Sequence, residues 1–338
     1  MTGELVSVVV VNWNGREYLD DCLSSLLKQS HEEMELILVD NASGDGSVEY
    51  VRGRFPQVRV IRNERNLGFG AAANRGIKEA KGPFVLFLNN DLYIEEDCIK
   101  ELLNTLEGDG VGGAVPKILF FERPDRINSF GITMNYLGLA CPKHFGQPDR
   151  RDLTEEETAC GGIILTRKEL FQEIGGFDEE MFLYHEDSDL SWRMRLKGKR
   201  LVVNPKAILY HKYHFGRNPD KFYHSEKNRL VMLIKNYSLK TLIIILPPAL
   251  LVELAELFFA LGSGWLGKKL KSYWEIITSL PTIVKRRRAV QKMRRVRDKE
   301  IVKLFTGQVS LSGLKSDLLD WFLSPLLALY WKGVRWII

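Results

Sequence analysis

The chain has 338 residues, 45% of them hydrophobic, and a formal net charge of +5. That is ample for one large core, or for a core domain with an appended module. Its four cysteines, Cys22, Cys98, Cys141 and Cys160, lie far apart with no C-x-x-C pair, which argues against a zinc ribbon and reads as reduced, mostly buried cytoplasmic thiols. The charge is uneven: residues 239–338 hold 17 Lys/Arg and 7 Asp/Glu, a net of +10, and residues 1–238 carry −5. An acidic front and a basic, apolar back suggest two parts with different partners, and nucleic acid or an anionic membrane would each attract the back. Residues 1–4 carry no basic n-region and the apolar run 6–11 is too short for a secretory signal, so none is expected.

The front alternates strands and helices. The β-branched run 7–11 predicts a strand, and Leu19, Cys22, Leu23, Leu26 and Leu27 fall at helical spacing within 17–29. A second strand over 35–39 ends in the turn-rich stretch 40–47. A short helix to Arg54, a strand over 58–62, a loop over 63–70 and a helix over 71–80 follow. The strand 84–88 then ends in Asn89-Asn90-Asp91. Such alternation predicts a mainly parallel α/β sheet with helices on both faces, its ligands beyond the carboxyl ends of the strands, where Asp40 and Asp91 lie. After Val111 the pattern is mixed. Strands over 111–119 and 127–133 precede a polar loop through Glu157, a helix over 167–174, the turn Gly175-Gly176, a helix over 187–197, and strands over 200–203 and 207–210.

Five stretches bear on chemistry. Asp40, with the Gly-rich turn after it, suits a base N–H or ribose hydroxyl, and equally suits an Asx turn capping the next helix. Gly68-Phe69-Gly70-Ala71-Ala72-Ala73 formally matches the dinucleotide fingerprint, the basis for an NAD-dependent oxidoreductase as the rival enzyme. A Rossmann turn directly follows its strand, however, and here residues 63–67 intervene, so the glycines are expected to bring backbone close to a ligand at a helix start. Asp91 could bind Mg²⁺ or Mn²⁺ bridging a diphosphate, or simply end a strand. Glu186, Asp187 and Asp189 crowd beside His185 near a helix start. Capping explains one carboxylate; a second could serve as general base toward a sugar hydroxyl. His211 and His214 follow a strand and could complete a metal site.

Together these stretches resemble family 2 glycosyltransferases, which have the nucleotide-sugar fold called GT-A, and the rhamnosyltransferase-like branch in particular. The matching residues are 8–15 (VVVVNWNG), 40–47 (DNASGDGS), 66–76 (NLGFGAAANRG), 89–91 (NND), Gly161-Gly162 with Arg167, and 175–190 (GGFDEEMFLYHEDSDL) with Arg193. The resemblance covers about two-thirds of the chain, and the order and spacing of the motifs carry its specificity. It implies an inverting, non-processive transferase with Asp187 as catalytic base and Glu186 beside it. It implies nucleotide-sugar binding by Asn12, Asp40, Asn66, Gly68, Asn90, Asp91 and Arg193, with Asp40 contacting the nucleobase. Asp91, helped by His211, would carry the metal, since Asn89 replaces the first acid of the family's D-x-D. Ser191-Trp192-Arg193 stands where processive members carry Q-x-x-R-W. The branch favours deoxythymidine-diphosphate rhamnose as donor and a saccharide or polyprenyl-diphosphate-linked saccharide as acceptor. A degenerate transferase kept as a membrane scaffold is the non-enzymatic alternative, opposed by the intact acids.

From about Leu239 the composition shifts, giving a catalytic domain over 1–238 and a helical, basic, membrane-associating region over 239–338. The apolar run 239–261 is long enough to span a bilayer, but Pro247-Pro248 break it and Glu253 and Glu256 interrupt it, so a kinked or in-plane helix is expected. Residues 285–303 read as a basic interfacial helix with Ala289, Met293 and Val296 on one face, and Trp321, Trp331 and Trp336 as aromatic anchors. The expected site of action is the cytoplasmic face of an anionic membrane. A helical subdomain packing on the catalytic domain or on a second subunit of a homo-oligomer competes for the same surface, and no motif supports nucleic acid.

Overall fold

The computed structural model describes residues 3–212, 219–308 and 317–338. It divides into two compact units: Met1–Ile132, Pro142–Phe182 and Lys199–Phe215 form the first, and Thr133–Cys141, Leu183–Gly198 and Gly216–Ile338 the second. The acidic stretch 183–198 and residues 219–238 thus group with the C-terminal helices, whereas the composition alone suggests a division near Leu239.

In chain order the elements are β1 (Val6–Asn12), α1 (Leu19–Leu26), β2 (Met34–Asp40), α2 (Ser47–Arg54), β3 (Arg59–Arg62), α3 (Phe69–Glu79), β4 (Phe84–Asn89), β5 (Leu92–Ile94) and α4 (Cys98–Leu106). Next come β6 (Val111–Phe120), β7 (Ile127–Phe130), β8 (Ile132–Asn135), β9 (Ala140–Pro142), β10 (Glu156–Glu157), β11 (Leu165–Arg167), α5 (Lys168–Glu173), α6 (Glu186–Leu196) and β12 (Arg200–His211). The rest are α7 (Pro219–Asn236), α8 (Leu239–Ser263), α9 (Leu266–Thr278), α10 (Leu280–Met293), α11 (Asp298–Ile301), β13 (Phe305–Thr306) and α12 (Asp317–Val334).

The sheet of the first unit runs β10-β12-β6-β11-β4-β1-β2-β3, with β5 on β12 and β7 on β6. β3, β2, β1 and β4 are parallel, β12 is parallel to β6, and β11 runs antiparallel between β4 and β6. Val6, Val8 and Val10 face one core with Leu19, Leu23 and Leu102 from α1 and α4. On the other face Gly76 of α3 meets Val9 and Val39, where an added Cβ would lie 2.4 Å from Val9. The strand expected over 127–133 is two strands, because Gly131 turns the chain at φ +71°. The two strands expected over 200–210 are one, with a register break between Asn204 and Ile208.

In the second unit the strand pairs β13 with β8 and β8 with β9 form a small sheet. Helix α7 carries the charges that hold its neighbours. Asp189 of α6 accepts from Lys235 (2.9 Å) and Asn236 (3.0 Å). The last carbonyls of α7 accept from α10 and the residue after it: Arg287 reaches Ile234 and Tyr237, Gln291 reaches Lys235 and Asn236, and Arg294 reaches Asn236. Two of the basic residues expected to face lipid therefore close a helix C-terminus instead. The basic helix expected over 285–303 stops at Met293, so Val296 lies outside it. Trp331, expected as a membrane anchor, is buried and stacked on Tyr136 at 4.6 Å. Trp336 is exposed, and the Trp321 side chain lies outside the described residues.

Helix α8 runs unbroken through Pro247 and Pro248. Pro248 lacks the N–H that would bond the Ile244 carbonyl, and Tyr330 Oη of α12 donates to that carbonyl at 2.6 Å instead. Glu253 does not interrupt the helix either, because it turns to Arg229 of α7 and to Lys269 of α9, 2.8 Å away. Tyr330→Phe should strand the Ile244 carbonyl and cost about 1–3 kcal/mol, read as a lower denaturant midpoint at unchanged slope. An unchanged midpoint would show that the helix tolerates its prolines unaided.

Candidate active site

Each unit holds one group of the expected site residues. In the first, parallel register places Asn12 directly beside Asp40. Asn12 Nδ2 donates to Asp40 Oδ1 (2.9 Å) and Ser43 Oγ (3.1 Å), and its Oδ1 accepts from Asn90 Nδ2 (2.6 Å). One buried amide thus joins the ends of β1, β2 and β4. Gly15 makes room for Asn90, whose Nδ2 lies 1.8 Å from where a Cβ would stand. Loops 12–16 and 40–47 are tied by Asn14 N to Ser43 Oγ (2.9 Å), Gly44 N to Asn14 Oδ1 (2.9 Å) and Arg16 N to Asp45 Oδ2 (2.9 Å). Trp13, carried by the first of these loops, is 57% exposed.

Asp40 is fully buried, and its second oxygen accepts from Ser43 N at 2.9 Å. Both oxygens are engaged within the protein, and the side chain shows no surface to a base. The structure displays the Asx-turn role that the sequence left open, not an open contact for a nucleobase.

The glycines of the dinucleotide-like motif also serve the chain itself. Gly68 has φ +82°, and a Cβ there would meet the Phe182 carbonyl oxygen at 2.1 Å. Gly70 packs against Phe177. Gly68 stands against the chain's own 177–182 loop, and a side chain there would clash with it. Asn66 Oδ1 closes the turn by accepting from Gly68 N (2.9 Å). Asn74, to which the sequence gave no role, pins the same loop by bonding Phe177 N and Phe177 O. Asn41 does likewise for Gly68 O at 3.1 Å. Asparagines on one helix or turn give no periodic signal, so these partners were not legible.

Asp91 stands just before β5. Antiparallel pairing of β5 with the end of β12 sets His211 opposite Leu92, and His211 Nε2 comes to 3.1 Å from Asp91 Oδ2. Asp91 Oδ1 is buried without a hydrogen-bond partner among the described residues. An orphaned carboxylate oxygen beside an imidazole is a donor set that suits a divalent cation. Asn89 is exposed, and His214 lies outside the described residues.

In the second unit Glu186 and Asp187 open α6, in the first turn, where carboxylates are favoured. Tyr184 and His185 before them both have positive φ, +70° and +66°. Each such non-glycine residue costs about 1–2 kcal/mol, and Asn228 of α7 holds the turn by donating to the carbonyls of Leu183 (2.9 Å) and Tyr184 (2.8 Å). Glu186 is buried and its Oε2 has no hydrogen-bond partner among the described residues. Burial, and then the charge of Asp187, push its carboxyl up to about 8. Burial also raises Asp187, against hydrogen bonds from Ser188. Asp189 behaves oppositely. Burial would raise it, but Arg193 and Lys235 outweigh that and hold it at about 2. Arg193, expected to bind the donor, is buried and bonded to Asp189 at 2.8 Å, so it braces α6. Trp192 packs edge-on against Tyr237 and Phe305, a core position.

A family model described as glycosyl transferase family 2 matches residues 7–175, half of the chain, and the chain belongs to that family. It is a glycosyltransferase of the GT-A fold, in the rhamnosyltransferase-like branch. It is similar to the N-acetylglucosaminyl-diphospho-decaprenol L-rhamnosyltransferase of Mycobacterium tuberculosis, 29% identical over 245 residues, 64% of this chain and 79% of that one. It is also similar to a poly-beta-1,6-N-acetyl-D-glucosamine synthase of Staphylococcus aureus, 25% identical over 210 residues, 61% of this chain and 50% of the relative. Among solved structures, GalNAc-T7 with UDP, GalNAc and Mn²⁺ shares the fold at a TM-score of 0.59 and 20% identity, over 73% of this chain and 51% of that one.

The raised Glu186 carboxyl has a stability consequence. The folded state holds this proton more tightly than the unfolded chain, whose value is near 4.5, so the stability it contributes is lost as pH rises from there through about 8. Glu186→Gln removes that titration. Its melting temperature should decline less than the parent's over this range and exceed it by a few degrees at about pH 9. Parallel declines in the two proteins would place the titrating group elsewhere.

Proposed function

We propose that this chain transfers single sugars, with inversion, from a nucleoside-diphosphate donor to a saccharide or lipid-linked saccharide in cell-surface polysaccharide synthesis, at the cytoplasmic face of a membrane. The observation that carries the reading is the carboxylate pair at the start of α6: two adjacent acids on a strained, clamped turn, at the position the family assigns to its base. Such a pair does not readily ionise twice. Glu186 keeps its proton to about 8 and leaves Asp187 as the charged member. Asp187 takes the proton of the acceptor hydroxyl. That oxygen bonds to the anomeric carbon as the bond from this carbon to the diphosphate oxygen breaks. One displacement inverts the centre, with no sugar attached to the protein.

Asp91 and His211 would hold Mg²⁺ or Mn²⁺, which when bound offsets charge on the departing diphosphate. Asn12, Asn66, Gly68 and Asn90 shape the loops around the donor, with Asp40 positioning Ser43 and Asn12 from behind. Exposed Trp13 is suited to stack on a base. The name of the mycobacterial relative gives an L-rhamnosyl donor group and a decaprenol-diphosphate acceptor. This favours deoxythymidine-diphosphate rhamnose and a polyprenyl-diphosphate-linked saccharide here. Ser191-Trp192-Arg193 in place of the processive Q-x-x-R-W favours a single transfer per encounter.

Asp187→Asn keeps the shape and removes the basicity. Transfer should fall by at least about a hundredfold with donor affinity little changed; near-normal transfer would take Asp187 out of the mechanism. Asp91→Ala should weaken donor binding chiefly when Mn²⁺ is present, as read by calorimetry with and without the ion. The same metal dependence in parent and variant would move the cation site away from Asp91.

A further inference from the structure

Helix α8 has two unlike faces. Thr241, Ile245, Val252, Glu256 and Ala260 are buried. Ile243, Leu246, Leu250, Leu254, Phe258 and Leu261 are exposed, and their spacing of three or four makes one stripe along the helix. Helix α9 repeats the pattern with exposed Leu270, Trp274 and Ile277. Contiguous apolar surface of this extent marks an interaction site.

The two glutamates of α8 are turned away from that stripe. Glu253 and Glu256 join Glu226 of α7, with carboxylate oxygens within 4.8 Å of one another. Arg229 and Lys269 pair with them: Arg229 meets Glu226 at 2.7 Å, Lys269 meets Glu226 and Glu253 at 2.8 Å each, and burial pushes the Glu256 carboxyl up to about 8. With Glu256 protonated, two carboxylates face two cations and the cluster closes on itself. It acts as a lock that fixes which side of α8 faces outward.

The charge left on the surface is basic. Glu253 and Glu256 turn inward to Lys269, and Asp298 turns inward to Arg294, so these acids do not offset the basic residues on the surface. Lys240, Lys271, Lys285, Arg288 and Lys292 are all exposed. Among the described residues α8 alone is long and apolar enough to cross a bilayer. Crossing would carry the attached α7 and α9 along with it, and with them exposed Lys271 and Asp220 and half-buried Lys268. Charged groups in hydrocarbon oppose that arrangement.

We propose that the outer faces of α8 and α9 form a docking surface for an anionic bilayer, with α8 lying in the membrane plane. This deepens the membrane clause of the function above and is independent of the transfer chemistry. The stripe enters the acyl boundary, Trp274 sits at headgroup level, and the flanking lysines meet lipid phosphates.

The test uses the full chain and vesicles of phosphatidylcholine with or without phosphatidylglycerol. Single cysteines from Ile243→Cys, Leu250→Cys and Phe258→Cys, in a background with exposed Cys141→Ser, carry a fluorophore quenched by lipids spin-labelled at graded depths. Binding should be at least about tenfold stronger with the anionic lipid, and the three positions should report one shallow depth. Leu254→Asp and Phe258→Asp, both at exposed positions, should each lower vesicle partitioning at least about tenfold at unchanged melting temperature and donor hydrolysis. A deep Leu250 position between shallow ends would mean that α8 crosses the bilayer. Full chain that stays in solution with anionic vesicles at low salt, self-associating in sedimentation, would make the stripe a contact between copies. Either result overturns the proposal. Loss of donor hydrolysis in the parent would instead count against the transferase reading.

Discussion

The carboxyl edge of a parallel sheet is a row of polar groups that the flanking helices do not cover, and something must fix them relative to one another. In the first unit this falls to the carboxamide of Asn12. It donates to Asp40 and Ser43 and accepts from Asn90, so the ends of three strands and the loop after β2 share one side chain. It is fully buried. Removing it would leave several buried groups unpaired, at about 1–3 kcal/mol each. Asp40, Gly15 and Ser43 acquire their constraints from it: Asp40 by giving one oxygen to Asn12 and the other to Ser43 N, Gly15 by leaving space for Asn90.

The second unit solves a related problem with charge. Asp189 is matched by Arg193, Lys235 and Asn236, and Glu226, Glu253 and Glu256 are matched by Arg229 and Lys269. Buried ion pairs add little net stability but are costly to break, so they specify which faces meet. Glu186 is the exception. Its unpartnered oxygen and raised carboxyl lie where the backbone is also strained, and energetic irregularities of this kind concentrate at working sites.

Local patterns reported the strand–helix alternation well. The runs behind β1, β2, β4 and β6 emerged within a residue or two of their expected bounds, because fully buried strands show as continuous apolar runs. The meeting of Asp91 with His211 was anticipated by family resemblance and is realised by the antiparallel pairing of β5 with β12. Other expectations assumed that a residue acts where its chemistry is most conspicuous. Arg193 looked like a donor contact and braces Asp189, Gly68 looked like a ligand cradle and receives the Phe182 carbonyl, and Trp331 looked like a lipid anchor and stacks on Tyr136.

The division between the two sources of information follows from range. Strand runs, helix starts, the acidic pair that opens α6 and the basic, apolar tail are set by residues close in the chain, and the sequence by itself determined them. Which partner satisfies a buried group is set by residues far apart in the chain, and only the tertiary structure decided it. Pro247-Pro248 reads locally as a helix break, yet α8 continues, and Tyr330, 82 residues beyond Pro248, bonds the carbonyl that Pro248 leaves free. Glu253 and Glu256 read locally as charges set against an apolar helix, yet they turn to Arg229 and Lys269 and leave the outer stripe apolar. Most buried polar groups are paired, and the partner comes from whichever element the fold packs against them.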